Sequence, residues 1–370
     1  LNSLLTTRLY CRSLIHLYTP DGEKYKPTIA PTPGFSPTAD AEHLKRAMRG
    51  IGTLGTNEAE IIEILGGRTS AERMAIREAY TSISSKVSFQ TLHDALKSEL
   101  SGHFRELVLL LIQSPWQVMA EALYKAMKGA GTKERVLNEI IAGCSKEDIP
   151  HLKEAFEEVS GGETLEDAIK GDTSGDYCAA LLLALSGQCD EPQAMQLKCL
   201  TPCTLNQVVN PGLAESDAKE LYACGERPGT AESRFMRPII NRSFLQMRVT
   251  DEAYTRVAYG HPLIDAIKKE TSGDFEHFLV TRYSFFCKNS VRYAIDRAAL
   301  FAELLHFAIS GPGTRDSTLQ RILALRADVT DLGTIKEKYE ELYGETLEAA
   351  IKGDTSGDYR ALCLKLLGCT

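Results

Sequence analysis

Residues 162–177 read GETLEDAIKGDTSGDY, and residues 344–359 read GETLEAAIKGDTSGDY. Only Asp167 against Ala349 separates them. Self-similarity at long range marks a chain built from repeats. Two shorter stretches share the end of the motif, LKSELSGHF at 96–104 and IKKETSGDF at 267–275. Each copy sets one acid before a turn that ends in Ser-Gly: Glu99, Asp172, Glu270 and Asp354.

A second element precedes each acid by some forty residues. It reads MRGIGTLGTNE from Met48, MKGAGTKE from Met127, CGERPGTAE from Cys224 and ISGPGTRD from Ile309. The pairs divide the chain into units over 38–112, 114–187, 216–288 and 293–368, each long enough for four or five helices. The period is helical almost throughout, as with Val136, Leu137, Ile140 and Ile141, and strand-like alternation is sparse, so the chain reads as all-α. Thr56, Thr132, Thr230 and Thr314 are expected to N-cap the helix after each loop. An acid two residues later (Glu58, Glu134, Glu232, Asp316) suits the positive end of the helix dipole.

The paired elements fit the chemistry of a calcium ion. Calcium takes six to eight hard oxygen ligands, among them backbone carbonyls and carboxylates. A Gly-rich loop can turn several carbonyls toward one point, and a carboxylate from elsewhere offsets the charge. Two helices folding back over forty residues bring the acid to the loop. No EF-hand loop of alternating Asp/Asn occurs, so the site is in two parts. Open positions on ions held this way suit lipid phosphate. Four divalent ions would cancel the chain's eight excess negative charges.

Composition narrows the alternatives. A net charge of −8 argues against non-specific nucleic-acid binding and against simple electrostatic adhesion to anionic lipid. No run of 18 apolar residues spans a bilayer. No nucleophile elbow, phosphate loop or HExxH motif points to an enzyme. The ten cysteines are scattered without a CxxC pair and read as reduced thiols; Cys199 and Cys203, near Cys189, carry only a weak disulfide or metal signal. The chain opens on Leu1, so an upstream start or processing is expected. Residues 1–18 hold Arg8, Arg12 and His16 without an acid, as a targeting or membrane-surface segment or a loosely ordered tail would. Residues 19–37 carry five prolines and read as an extended linker.

These motifs closely resemble the annexin family, over residues 38–368. The resemblance rests on M-K-G-x-G-T paired with G-D-T-S-G, and on the entries ADAEHLKRAMRG (39–50) and ALYKAMKGAGT (122–132). It implies four five-helix repeats in a slightly curved disc, with calcium loops on the convex face. It also implies peripheral binding to acidic phospholipids such as phosphatidylserine. Carried over, the metal residues are Met127, Gly129, Gly131 and Asp172 in the second repeat and Ile309, Gly311, Gly313 and Asp354 in the fourth. The first offers Met48, Gly50, Gly52 and Glu99, although three extra residues let Gly55 replace one donor. The third offers Gly225, Arg227, Gly229 and Glu270 in a loop one residue short.

Family repeats usually carry an Arg after the second helix. Arg68, Arg242 and Arg326 fit, whereas the second repeat has Cys144 and needs another contact. The connector 188–215 is longer than usual, either an insertion presenting a protein-partner site or a solvated linker. The resemblance places the protein in the cytoplasm and at membrane surfaces, with cell-surface or extracellular exposure as an alternative. The competing function is an extracellular adhesion or interaction protein, acting through surface loops or the connector. Its sequence feature is Lys-Gly-Asp at 170–172 and 352–354, but those Asp residues are already required as metal ligands.

Overall fold

The structure, a computed structural model, describes residues 25–49, 55–83, 91–129, 131–188, 209–225, 232–284, 297–311, 313–328 and 331–369. Among these residues there are twenty helices and no strand, as the all-α reading expects. The first repeat comprises α1 (Pro37–Arg49), α2 (Glu58–Gly67), α3 (Ser70–Ile83), α4 (Leu92–Glu99) and α5 (Gly102–Leu111). The second comprises α6 (Pro115–Met127), α7 (Glu134–Ala142), α8 (Asp148–Ser160), α9 (Leu165–Asp172) and α10 (Gly175–Leu185). The third comprises α11 (Pro211–Gly225), α12 (Glu232–Asn241), α13 (Phe244–Val257), α14 (Leu263–Glu270) and α15 (Gly273–Ser284). The fourth comprises α16 (Arg297–Ile309), α17 (Asp316–Arg326), α18 (Leu332–Tyr343), α19 (Leu347–Asp354) and α20 (Gly357–Leu366).

Two compact units result. One holds Lys24–Val118 with Ala298–Thr370, the first and last repeats; the other holds Met119–Arg297, the middle pair. Each joins its repeats in the same way. The second and fifth helices of one repeat pack against the fifth and second of the other: α2 on α20 and α5 on α17, α7 on α15 and α10 on α12. The apolar faces predicted by helical spacing fill these seams. Ile61, Leu65, Leu107 and Leu362 are fully buried in the first unit, and Leu137, Leu181, Phe235 and Phe278 in the second. Burying an aliphatic side chain of this size contributes roughly 1.5–3 kcal/mol.

Residues 25–36 form no helix and turn at Pro33-Gly34, and Pro37 is the first residue of α1, where a missing N–H costs nothing. Residues 25–32 lie on the fourth repeat. The amides of Thr28 and Ile29 both donate to the Ala327 carbonyl (2.8 and 3.0 Å), and the Thr28 hydroxyl donates to Leu366 O (2.6 Å). Lys26 pairs with Glu337 (2.8 Å). The Gly333 amide donates to Lys26 O at 2.7 Å, and a Cβ at Gly333 would stand only 2.7 Å from that oxygen, so the approach needs glycine. Thr32 N–H reaches Glu72 in the first repeat (2.7 Å), so the segment links both repeats of this unit. The connector reading at 188–215 falls mostly on 189–208, and the tail reading on 1–18; both stretches lie outside the described residues. So do Cys11, Cys189, Cys199, Cys203 and Cys287, while Cys144, Cys178, Cys224, Cys363 and Cys369 form no disulfide, as the reduced-thiol reading expects.

Arg68 and Arg242 bond the acids of their own first helices, Asp40 and Asp217, both at 2.7 Å. Arg326 instead lies 3.6 Å from Asp331. The second repeat's missing arginine is supplied from the third. Arg282 on α15 is buried and donates to the carbonyls of Ala142 (2.8 Å), Cys144 (3.1 Å) and Ile240 (3.3 Å). These carbonyls lie at the ends of α7 and α12, where helical partners run out. Arg282→Met should therefore lower unfolding stability by about 2–4 kcal/mol, because it strands buried acceptors. Urea denaturation in chelator checks this; a midpoint within error of wild type would contradict it.

His103 bridges the other pair of repeats. Its ring nitrogens face Glu106 (2.9 Å) and Asp316 (3.3 Å). The hydrogen bond to Glu106, with the nearby negative charge of Asp316, raises the His103 pKa, while the bond to His103 holds Glu106 below its usual range. A raised histidine adds stability that is fully present below its unfolded value of about 6.5 and is lost as pH rises through the folded value. A lowered carboxylate adds stability that disappears as pH falls below its ordinary range. His103→Gln should thus destabilise most between about pH 5 and 6.5 and progressively less toward pH 8. Thermal unfolding across that range reads the difference.

Candidate metal centre

The second and fourth loops are built alike. In the second, α6 ends at Met127, and the amide of Lys133 donates back to Ala126 O (2.9 Å). In the fourth, α16 ends at Ile309, and Arg315 N–H donates to Ala308 O (2.8 Å). Each bond closes seven residues into a compact loop. Gly129 and Gly131 have φ of 118° and 86°, and Gly313 has 85°. A Cβ at any of the three would meet nothing within 4 Å, so backbone conformation, not crowding, selects glycine. Gly311 lies in the same open surroundings with an ordinary φ.

Each acid arrives as the last residue of a short helix: Glu99 on α4, Asp172 on α9, Glu270 on α14 and Asp354 on α19. The chain then turns out. Thr173, Thr271 and Thr355 are extended caps whose hydroxyls donate to the carbonyls of Ile169 (2.7 Å), Ile267 (2.6 Å) and Ile351 (2.6 Å). Leu100 takes this place in the first repeat. A glycine near φ 60° follows in all four, Gly102, Gly175, Gly273 and Gly357. The turn stops the helix at the acid and leaves the carboxylate facing outward. Asp172 and Glu99 are exposed, while Asp354 is half-buried.

Loop and acid meet through a threonine. Thr132 Oγ1 donates to Asp172 at its carbonyl (3.2 Å) and Oδ2 (3.3 Å). Thr314 Oγ1 does the same to Asp354 O (3.3 Å) and Oδ2 (2.6 Å). Thr56 Oγ1 reaches Glu99 Oε2 at 3.3 Å. This corrects the N-cap expectation. The caps are the next residues, Asn57, Lys133 and Arg315, and only Asn57 uses its side chain, accepting from Glu60 N. The threonines are instead drawn to a charged acceptor across the loop, and a hydrogen bond to a charged group is stronger than a cap. Thr230 lies outside the described residues. Glu58, Glu134 and Asp316 do open their helices, as expected.

The first loop shows where its extra length goes. Asn57 N–H donates to Ala47 O (2.9 Å), so ten residues are closed where the other loops close seven. Gly55, with φ 39°, directly precedes the clasping Thr56, as Gly131 precedes Thr132 and Gly313 precedes Thr314. Met48 ends beside the loop with its side chain buried, like Met127 and Ile309. Gly50 and Gly52 lie outside the described residues, as do Arg227, Gly229 and Pro312. Gly225 is the last residue of α11. Glu270 is half-buried and pairs with Lys269 (3.1 Å). Among the described residues no three His, Cys, Asp or Glu side chains cluster to hold a metal.

A family model described as Annexin matches residues 39–111, 118–184, 216–281 and 300–366. The chain belongs to the annexin family. Annexin B22 of Schistosoma mansoni is 43% identical over 365 residues, covering 96% of this chain and 95% of that protein. Annexin A8 of Bos taurus is 38% identical over 343 residues, covering 92% and 95%. A crystal structure of calcium-bound annexin (Sm)1 superposes with a TM-score of 0.84 at 41% identity, covering 96% of this chain and 97% of that one. Annexins are known for calcium-dependent phospholipid binding, and this annexin keeps the four-repeat frame.

Sequence reasoning missed the threonines' role. The signal was available, because Thr132 and Thr314 each stand forty residues before their acids and one after a glycine. Thr314→Val should cost this annexin about 1–2 kcal/mol of calcium-free stability, since the lost bond is short, charge-assisted and partly buried. Thr132→Val should cost less, its bonds being longer and exposed. Differential scanning calorimetry of both in chelator tests the order; a larger loss at Thr132 would overturn it.

Proposed function

We propose that this annexin binds acidic phospholipid membranes, phosphatidylserine among them, peripherally and reversibly through calcium held in its loops. The carrying observation is the placement of four carboxylates at helix C-termini, three clasped to a glycine loop. An acid there faces the negative end of the helix dipole and is intrinsically unfavourable. A divalent cation at that point relieves the conflict, and hard oxygens are what calcium takes. In the second repeat the donors are the carbonyls of Met127, Gly129 and Gly131 with the Asp172 carboxylate. In the fourth they are Ile309, Gly311 and Gly313 with Asp354. In the first, Met48 and Gly50 act with Glu99, and Gly55 takes the role otherwise assigned to Gly52. The third uses Gly225, Arg227, Gly229 and Glu270, with Lys269 competing for the acid. Ions on these loops keep positions open for lipid phosphate.

Peripheral attachment agrees with the helices, none of which among the described residues is long and apolar enough to cross a membrane. The second and fourth loops, built alike, fill first as calcium rises. The Asp172→Ala/Asp354→Ala double variant separates ligation from bulk charge. It is two charges less acidic, so general electrostatics would strengthen binding to anionic vesicles, whereas loss of ligation weakens it. Co-sedimentation with phosphatidylserine vesicles should show wild type pelleting in calcium and released by chelator. The double variant should need at least tenfold more calcium, while without calcium it stays folded and loses only the roughly 1–2 kcal/mol of the clasp that Asp354 makes with Thr314. Equal or tighter vesicle binding by the folded variant would refute the assignment.

A further inference from the structure

Phe307 and Arg315 stand on either side of the fourth glycine loop. Phe307 is two residues from the end of α16 and keeps 39% of its surface exposed. Arg315 follows the clasping Thr314. Its guanidinium lies over the Phe307 ring, 3.7 Å from the centroid, and its Nη1 donates to the Phe307 carbonyl. Its amide donates to Ala308 O at 2.8 Å. The arginine is thus fixed at both ends, on an aromatic face and on two of the last carbonyls of α16, which lack helical partners.

The first and second repeats arrange the same positions differently. Two residues before Met48 and Met127 they carry bases, Arg46 and Lys125, and after the clasping threonine they carry Asn57 and Lys133. A base in the last turn suits the negative end of the helix dipole. The fourth repeat moves its base across the loop and puts a ring where the base would stand. A base at 307 would serve the helix end as well, so the exchange serves something else. Arginine, unlike lysine, offers a planar fork of donors that stacks on rings and meets phosphate oxygens in pairs. One of its five N–H donors is used on Phe307 O. Arg315 is exposed and makes no ion pair among the described residues, although acids lie close in sequence and space. Asp316 faces His103 at 3.3 Å, and Asp354 holds Thr314 at 2.6 Å. A guanidinium already held on a ring has less freedom to lose when an anion arrives.

We propose that Arg315, held on Phe307, binds the phosphate of a lipid headgroup beside the fourth loop. The proposal rests on the calcium-dependent membrane binding put forward above. Calcium brings the membrane to the loop, and the fork adds paired, charge-assisted hydrogen bonds to phosphate oxygens. Phe307 is a positioning residue, which acts by holding the guanidinium in place through ring and carbonyl. The second loop, otherwise built alike, carries Lys133, a point charge without a fork. At equal calcium occupancy the fourth loop therefore contributes more to lipid affinity than the second.

The test titrates phosphatidylserine vesicles into the full chain at saturating calcium and reads the lipid concentration for half-binding by co-sedimentation. Arg315→Lys keeps the charge and loses the fork; Phe307→Ala keeps the arginine and loses its platform. Each should weaken lipid binding about fivefold, and the double variant should be no weaker than either single one, because both remove one arrangement. Phe307→Tyr keeps the ring and should stay within about twofold. Calorimetric calcium binding without lipid should match wild type in all of them, whereas a merely structural role would shift it. Soluble glycerophosphoserine in calcium separates the sources of phosphate. Weaker binding of it to Arg315→Lys than to wild type extends the site to soluble esters, and no binding to wild type restricts it to lipid in a bilayer; either supports the site. Equal affinity of both for the ester would overturn it, as would wild-type lipid affinity in Arg315→Lys and Phe307→Ala. Failure of wild type to pellet in calcium would remove calcium-dependent membrane binding and this proposal with it. Pelleting wild type beside unaffected variants removes the proposal alone.

Discussion

A hydroxyl and a carboxylate some forty residues apart meet in three of the four repeats, and much of each repeat's design serves that meeting. The glycine loop must turn tightly enough to present its threonine. The helix carrying the acid must stop abruptly, which the extended cap and the following left-handed glycine ensure. Two intervening helices must fold back over the right length. The acid then sits against its own helix dipole, so the clasp holds a group that electrostatics alone would disfavour. Repeats that differ elsewhere in length keep this arrangement. The first absorbs three extra residues between Ala47 and Asn57 and still brings Thr56 to Glu99.

What the sequence made legible was what period and repetition encode. The near-identical stretches at 162–177 and 344–359 located the acids, and helical spacing located Leu137, Ile140 and Ile141 on a buried face. Local chemistry misled at the threonines. N-cap preference is a short-range rule, whereas Thr132 and Thr314 answer to an acceptor that only the tertiary fold brings near. Arg282 was illegible for a related reason. It replaces an arginine absent beside Cys144 from a position on a different repeat, and spacing within one repeat carries no trace of it. Pro37 reads as linker because it closes a run of five prolines, yet the first turn of a helix is where proline fits.

Departures from the four-fold plan are concentrated in a few side chains. His103 stands where the other repeats have Asp176, Asp274 and Asp358, and it converts a site of negative charge into a bridge between acids. Tyr259 stands where the second repeat has Gly161 and the fourth has Tyr343, and it is the one non-glycine among the described residues with a left-handed backbone, at φ 54°. Backbone conformation made the second change informative. A tyrosine and a glycine can occupy the same place in a capping turn, but only the tyrosine pays a conformational penalty for doing so.

The pairing of first with last repeat fixes an order of events during synthesis. The middle repeats, from Met119 to Arg297, are contiguous, so a nascent chain can complete their shared seam while the remainder is still on the ribosome. The outer pair has no such option. Ile61 and Leu65 on α2 are buried at a seam with α20, which emerges only after both middle repeats. Until then the first repeat carries an uncovered apolar face, and the segment of residues 25–32 has no Ala327 or Leu366 to hold. Closing that unit joins segments nearly three hundred residues apart, a step whose entropy cost grows only slowly with length but whose timing is set by translation.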